Sequence, residues 1–363
     1  MSETKSPPRP PRRRAPLSLL LLAVLAGLLL AAPPPSATSA TTRSSLTTES
    51  TGSAAARPEC VWTGVQRIVA IGDLHGDYYH FFQLLQWADL VDSDGHWTGG
   101  KSHLVQMGDV MDRGKRAKEI FGLIKKLEKE AAAAGGMVHM LLGNHEEMNL
   151  MQRSTQFEDY VTPEQFKDFL SREIIAAEEK KAGGSVSDDR WKELIRDQES
   201  EAVADYYRNF TELYGPWLAE HNVVIKINDT VFVHGGLTES WATRGLETIN
   251  NLYRSEMQRY LRDHQQYFPP RILFQPSGPL WDRSLADPDS GQDYEARVDR
   301  ILKLIGAQRV VVAHTPSHFR GREDDMKRYD GKVWVIDTGI SSPNGRVWGL
   351  RIENGSASVI RRD

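Results

Sequence analysis

The sequence predicts an α/β fold, and two observations support this class. Short runs rich in β-branched residues recur along the chain, which is typical of buried strands. The first three runs are RIVAIGD at 67–73, HLVQMGD at 103–109 and MVHMLLGN at 137–144. Between them lie segments with apolar residues at spacings of three and four, which indicate amphipathic helices. The first half of the folded part is therefore predicted to be β-α-β-α-β with right-handed crossovers.

The later part of the chain is predicted to turn to antiparallel strands. Its apolar runs are VVIKI from residue 223, TVFVHGG from 230, RVVVAHT from 309 and KVWVIDTG from 332. A closing hairpin is expected around Asn354-Gly355, because Asn-Gly favours a tight turn between alternating runs.

Residues 150–220 are highly charged and mostly helical in pattern, and Gly183-Gly184 is expected to separate two of the helices. Charge runs of mixed sign are usually solvated faces, so a solvated helical insertion is the favoured interpretation. A lid or docking surface over a functional site is the alternative.

The N-terminal segment differs in composition from the rest of the chain. A basic head precedes sixteen apolar residues at 17–32, and a Pro/Ser/Thr-rich stretch follows. We interpret residues 1–40 as a signal peptide or signal anchor that directs the protein to the secretory pathway, with an organelle transit peptide as the alternative. Membrane association would occur through residues 17–32. Residues 41–60 are expected to be a disordered linker, and residues 61–363 the catalytic domain.

Composition argues against nucleic acid as a partner. Residues 1–40 carry five basic side chains and one acidic one, so without them the formal charge shifts from −4 to −8. A protein this acidic, without a basic stripe, is a poor match for a phosphate backbone.

Cys60 is the single cysteine, so an intrachain disulfide is impossible. We expect a monomer.

Five of the predicted strands end at side chains that can bind metal ions. The carboxyl ends of parallel strands meet at one crevice of an α/β sheet. The side chains expected there are Asp73, His75, Asp109, Asn144, His234 and His314. Carboxylate, imidazole and amide ligands without a thiolate suit Mn, Fe or Zn.

Six ligands are too many for one catalytic ion that keeps an open position, but they suit two ions that share a carboxylate. Asp109, in the central motif, is the best candidate for the shared ligand. Two such ions would hold a phosphate and activate a bridging hydroxide for direct attack on phosphorus.

Four further side chains are assigned to phosphoryl transfer. Arg113 follows the second metal motif and would stabilise transition-state charge. His145 follows Asn144 and is the candidate general acid for the leaving oxygen, with Asp112 favoured over Glu146 as its carboxylate partner. Arg283, in the turn GPLWDR, is a second candidate phosphate contact.

The series GDLHG, GDVMDRG, GNHE, HGG and a later His-Thr resembles the phosphoprotein phosphatase family of metallophosphoesterases. GPLWDR at 278–283, VVAHTP at 311–316 and the helical insertion are similar to its Shewanella-like branch. The resemblance implies a four-layer fold, with a central β-sandwich of two mixed sheets flanked by helices. It also implies a dinuclear centre on the six ligands above. The residues that it assigns to phosphate binding are Arg113, Asn144 and Arg283.

The expected activity is hydrolysis of phosphomonoesters, with a phosphoprotein as substrate. Hydrolysis of small phosphate esters or dinucleoside polyphosphates is the enzymatic alternative. A catalytically silent scaffold is a third hypothesis, which the intact motif set disfavours.

Overall fold

The structure is a computed structural model that describes residues 59–263, 275–288, 293–317 and 322–362. The predicted signal segment at 1–40 and all but the end of the linker at 41–60 lie outside these residues. Within the described ranges, no helix combines the length and apolar character needed to cross a membrane. The interpretation of residues 17–32 therefore stays a prediction.

One sheet is built mainly from the first half of the chain. Its strand order is β11-β10-β2-β3-β4. The strands are β2 (Arg67–Ile71), β3 (His103–Gln106), β4 (Met137–Met140), β10 (Gly349–Glu353) and β11 (Ser356–Ile360). Strands β2, β3 and β4 are parallel, as the β-α-β-α-β pattern predicts. The C-terminal hairpin β10–β11 adds to β2 in antiparallel orientation.

The second sheet has the order β1-β5-β6-β7-β9-β8. Its strands are β1 (Val61–Trp62), β5 (Val224–Ile227), β6 (Thr230–Val233), β7 (Arg309–Val312), β8 (Lys327–Arg328) and β9 (Val333–Val335). The prediction that the later strands are antiparallel is wrong for three of them, because β6, β7 and β9 run parallel to one another. Helices intervene between β6 and β7 and so supply the crossover that a parallel pair requires.

The inner faces of the two sheets form one apolar layer. Ile68 and Val105 from the first sheet lie in the same buried cluster as Phe232 and Val311 from the second. The central strands β3, β6 and β7 are buried on both faces, because the alternate residues pack in the core beneath the helices. This arrangement confirms the predicted α/β class with two mixed sheets flanked by helices.

Helices cover both sheets: α2 packs against β4, and α9 packs against β5. The helices are α1 (Tyr78–Trp87), α2 (Ala117–Ala133), α3 (Asn144–Leu150), α4 (Pro163–Asp168), α5 (Arg172–Ala182), α6 (Asp188–Arg196), α7 (Glu201–Glu220), α8 (Glu239–Arg244), α9 (Leu246–Asp263) and α10 (Tyr294–Ile305).

The insertion at 150–220 is only partly the solvated segment that its charge suggests. Helix α5 fits that interpretation and ends at Gly183, which adopts the left-handed conformation at its C-cap. Helix α7 does not fit, because Tyr206, Tyr207 and Phe210 are fully or almost fully buried in the main core. Helix α7 is charged on one face, but its other face is apolar and packs against α3 and α9.

Candidate metal and catalytic site

The carboxyl ends of the parallel strands of both sheets face the same region. Asp73 and His75 follow β2, Asp109 follows β3, and His234 and His314 follow β6 and β7. Asn144 begins α3 just after β4. All six predicted ligands are at least 94% buried.

Asp109 lies between two groups of histidines. In one group, potential ligand atoms of Asp109, His75 and His145 lie within 4.8 Å of one another, and in the other Asp109 joins His234 and His314 at the same spacing. The second group is tight, since His234 Nε2 lies 3.3 Å from Asp109 Oδ1. The position of Asp109 is that of a side chain able to touch two neighbouring ions.

Asp73 and Asn144 complete this arrangement. Asp73 Oδ2 lies 4.0 Å from His75 Nε2, and Asp73 Oδ1 accepts the backbone N–H of His314 at 3.1 Å. Asn144 Oδ1 lies 3.1 Å from His234 Nε2. The structure thus brings together all six side chains that the strand ends predicted.

Two histidines are oriented by backbone carbonyls. His75 Nδ1 donates to Met111 O at 2.9 Å, and His234 Nδ1 donates to Met107 O at 2.8 Å. Each bond places the proton on Nδ1 and leaves Nε2 unprotonated, which is the usual arrangement for a metal-binding histidine.

The protonation states fit divalent ions. Burial lowers the pKa of His75 to about 3. Burial and the neighbouring His234 lower the pKa of His314 to about 2. Both imidazoles are therefore neutral at pH 7, as metal ligands must be. Burial, followed by the carboxylates of Asp337 and Asp109, raises the pKa of Asp73 well above its usual range. Cations would remove this mutual repulsion.

A second observation points the same way: the buried Nε2 of His314 has no hydrogen-bond partner within the described residues. Leaving such a nitrogen unpaired costs about 1–3 kcal/mol, and a metal ion would satisfy it. The donor set therefore fits divalent ions.

The loops that carry the ligands adopt sparsely populated backbone conformations. His75, Asp109, Asp112, Arg113 and His314 all have φ between 44° and 67°. Each such residue costs on the order of 1–3 kcal/mol, and residues of this kind cluster at functional sites.

Glycine is required where two of these loops touch. Gly108 has φ +94°, and a Cβ there would collide with the backbone of Gly143. A Cβ at Gly143 would in turn collide with the Asp109 carboxylate. The absence of a Cβ at these two glycines thus lets β3 and β4 deliver their ligands together.

Glu146 fixes the central loop rather than serving His145. Its carboxylate accepts the backbone N–H groups of Asp109 and Val110, each at 2.8 Å, and of Met111 and Gly143, each at 3.0 Å. It therefore holds the loop after β3 against the start of α3.

His145 and Asp112 form the predicted pair. His145 Nδ1 donates to Asp112 Oδ2 at 2.7 Å, and both side chains are almost fully buried. Burial opposes protonation of His145, but the nearby Asp109 carboxylate and the Asp112 bond outweigh it and raise the pKa of His145. Burial likewise opposes ionisation of Asp112, but the bond to His145 lowers its pKa. Both interactions favour the imidazolium form of His145 and the carboxylate form of Asp112.

Residues that sequence reasoning missed hold Asp112 in place. Asp112 accepts from Gln165 Nε2 at 2.9 Å, Asn149 Nδ2 at 3.0 Å and Ser154 Oγ at 2.9 Å. Tyr206 joins this network through Gln165 and Asn149. Gln165 and Tyr206 come from the insertion, and no local pattern indicates their contact with a site more than 50 residues earlier.

Arg113 stands at the edge of the ligand cluster. Its Nη1 lies 2.5 Å from His75 Nε2, and its guanidinium lies 5.1 Å from the centre of the Tyr160 ring. The Tyr160 ring is 4.8 Å from that of His145. Arg113 is thus placed beside both the predicted metal ligands and His145, the candidate general acid.

Arg283 contacts the loop that carries His314. Its Nη1 donates to His314 O at 2.9 Å and to Thr315 Oγ1 at 3.0 Å. These bonds tie the GPLWDR turn to the loop after β7, next to a predicted metal ligand.

Two buried acids were also missed. Asp337 follows β9, and burial raises its pKa. It extends the strand-end pattern that predicts the other ligands, so the segment VIDTG could have revealed it. Glu147 accepts from Trp281 Nε1 at 3.0 Å through one oxygen, while its other oxygen is buried without a hydrogen-bond partner among the described residues. The Trp281 ring stands edge-on to His314 at 5.9 Å.

Comparison with known proteins assigns the chain to a family. The calcineurin-like phosphoesterase family matches residues 66–318. An uncharacterised protein of Schizosaccharomyces pombe is 31% identical over 76% of this chain and 73% of its own length. Shewanella-like protein phosphatase 2 of Arabidopsis thaliana is 30% identical over 69% of this chain and 66% of its own length.

Solved structures agree with this assignment. The crystal structure of the cold-active protein-tyrosine phosphatase of a psychrophilic Shewanella species superposes with a TM-score of 0.55. The two proteins are 25% identical, and the match covers 84% of this chain and 83% of that one. With the metallophosphoesterase fold and the converging ligands, these likenesses show that the chain belongs to the calcineurin-like phosphoesterase family and has Shewanella-like protein phosphatases among its relatives.

Proposed function

We propose that this protein hydrolyses phosphomonoesters of phosphoproteins with the help of two divalent ions bridged by Asp109. The observation that carries the proposal is the shared position of Asp109 in both histidine groups. A site for one ion would not need a carboxylate that lies close to His75 on one side and to His234 and His314 on the other.

The other ligands divide on either side of Asp109. Asp73 and His75 would hold one ion, and the second would be held by Asn144, His234 and His314. When bound, Mn, Fe or Zn ions at these positions would neutralise the phosphate and activate a water for attack.

The remaining residues act on the phosphate and the leaving group. Arg113 contacts the phosphate and stabilises the charge that develops on it, with Asn144 and Arg283 as further contacts. His145 delivers the proton at Nε2 to the departing oxygen, because its Nδ1 is occupied by Asp112. Asp112 keeps His145 in the protonated form that a general acid needs.

The relatives support a phosphoprotein substrate. The relative from Arabidopsis thaliana is named a protein phosphatase, and the solved Shewanella enzyme is named a protein-tyrosine phosphatase. Phosphotyrosine peptides are therefore the first substrates to assay, alongside phosphoserine and phosphothreonine peptides and dinucleoside polyphosphates.

The decisive experiment is turnover of p-nitrophenyl phosphate with Mn by the wild type and by Asp109→Asn. Loss of the bridging charge should abolish measurable activity. Asp94→Asn, a change in an exposed loop, is the matched control and should keep wild-type activity. Equal rates for wild type and Asp109→Asn would refute the proposal.

A further inference from the structure

The insertion forms a cavity next to the catalytic site, which we call the flanking cavity. It has a volume of about 560 Å³, within the range of about 300–1,000 Å³ typical of ligand pockets. Its walls include Arg113, Phe157, Val161, Lys192, Ile195 and Arg196.

The flanking cavity is distinct from the reaction centre but continuous with it. Of the described residues, none of the six predicted metal ligands lines it, and neither does His145. Arg113, the proposed phosphate contact, belongs to both. If the phosphate of a substrate contacts Arg113, the part of the substrate next to the phosphate would lie in this cavity, while the phosphorus atom would stay at the reaction centre.

The floor of the flanking cavity is apolar. Val161 and Ile195 are buried, whereas Phe157 exposes 41% of its surface, which is high for a phenylalanine. Phe157 stacks on Tyr160 at 5.1 Å, and Tyr160 in turn lies against His145. This exposed ring is positioned to be covered when a substrate binds.

The rim carries charges of both signs. Arg196 pairs with Glu158 at 3.3 Å, and Asp159 and Lys192 are exposed nearby. With Glu158 and Asp159 among its cations, the rim lacks the uniformly positive surface that favours a polyphosphate. A polypeptide segment with an apolar side chain suits both the mixed rim and the apolar floor.

We propose that the flanking cavity binds an apolar side chain next to the phosphorylated residue of a phosphopeptide, with Phe157 as its principal contact. This inference rests on the proposed function and adds a specificity subsite to it. Apolar pockets discriminate by about tenfold or more per methylene group, so the preference should be measurable.

The test compares two phosphopeptides that differ only in having Leu or Ser on both sides of the phosphorylated residue. Wild-type enzyme should cleave the Leu peptide with a kcat/KM about tenfold higher. Phe157→Ser should reduce this ratio to near one, whereas Phe157→Leu should keep most of it. Leu304→Ser, at an exposed apolar position on α10, is the matched control and should leave the ratio unchanged.

Three outcomes would overturn the inference. Equal cleavage of both peptides by wild type would show that the cavity does not discriminate between flanking side chains. An unchanged preference in Phe157→Ser would show that another surface binds the flanking side chain. Failure to hydrolyse any ester, including p-nitrophenyl phosphate, would refute the proposed function together with this subsite.

Discussion

The hydrogen bond between His145 and Asp112 leads to a quantitative prediction about the leaving group. In Asp112→Asn the shape of the side chain is kept, but the negative charge opposite His145 is lost. His145 Nδ1, which lies 2.7 Å from Asp112 Oδ2 in the wild type, would then face a neutral amide. The protonated form of His145 would lose the charge that stabilises it. A general acid contributes about 10²–10⁴ in rate, so loss of even the lower amount raises the barrier by about 2.7 kcal/mol.

The size of this effect should depend on the substrate. A phosphoserine peptide has a poor leaving group and needs the proton, so its kcat should fall about 100-fold or more. p-Nitrophenyl phosphate leaves as a stable anion, and its kcat should fall less than about tenfold. The assay is steady-state turnover of both substrates at saturating Mn.

The substitution should also lower stability, and a control separates the two effects. The NH₂ group of the new asparagine cannot accept hydrogen bonds from the donors that bind Asp112. A buried polar group is therefore left unpaired, at a cost of about 1–3 kcal/mol. Asp205 is another buried acid in the insertion, and it accepts the backbone N–H of Ser171. Asp205→Asn should lower the free energy of unfolding without changing the ratio of the two substrates. Equal losses on both substrates in Asp112→Asn would refute the general-acid role.

Three other predictions concern metal, packing and processing. Adding Mn to chelator-treated protein at about 100 times its Kd should stabilise the fold by about 2.7 kcal/mol in urea unfolding, because the unpaired His314 Nε2 and the buried carboxylates gain a cation; an unchanged midpoint would contradict the metal site. Trp281→Phe should cost about 1–3 kcal/mol of stability, since it leaves both oxygens of buried Glu147 unpaired, whereas the same unfolding curve as wild type would show that this bond contributes nothing. N-terminal sequencing of the native protein should find a new N-terminus near residue 40, and an intact residue 1 would favour the anchored alternative.

The parallel order of β6, β7 and β9 shows a limit of reading strands from a sequence. Apolar runs such as RVVV identify a buried strand, but they look the same in either orientation. Orientation depends on the length and structure of the segment between two runs and on which sheet edge each strand joins. The second of these is a property of the assembled chain.

The insertion shows a second limit. Its charge pattern correctly indicates the exposed helix α5 but conceals the buried tyrosines of α7. The contact between Gln165 and Asp112 joins residues 53 positions apart, and neither residue has a local feature that identifies the other.

The sequence alone determined which side chains are available for metal binding and that each follows a buried strand, because ligand chemistry and strand periodicity are local properties. Only the tertiary structure decided that Asp109 stands between two histidine groups, that Gln165, Asn149 and Ser154 hold Asp112, and that a cavity opens beside Arg113. These features depend on distances between segments far apart in the chain, and such distances are set when the two sheets and the insertion pack together.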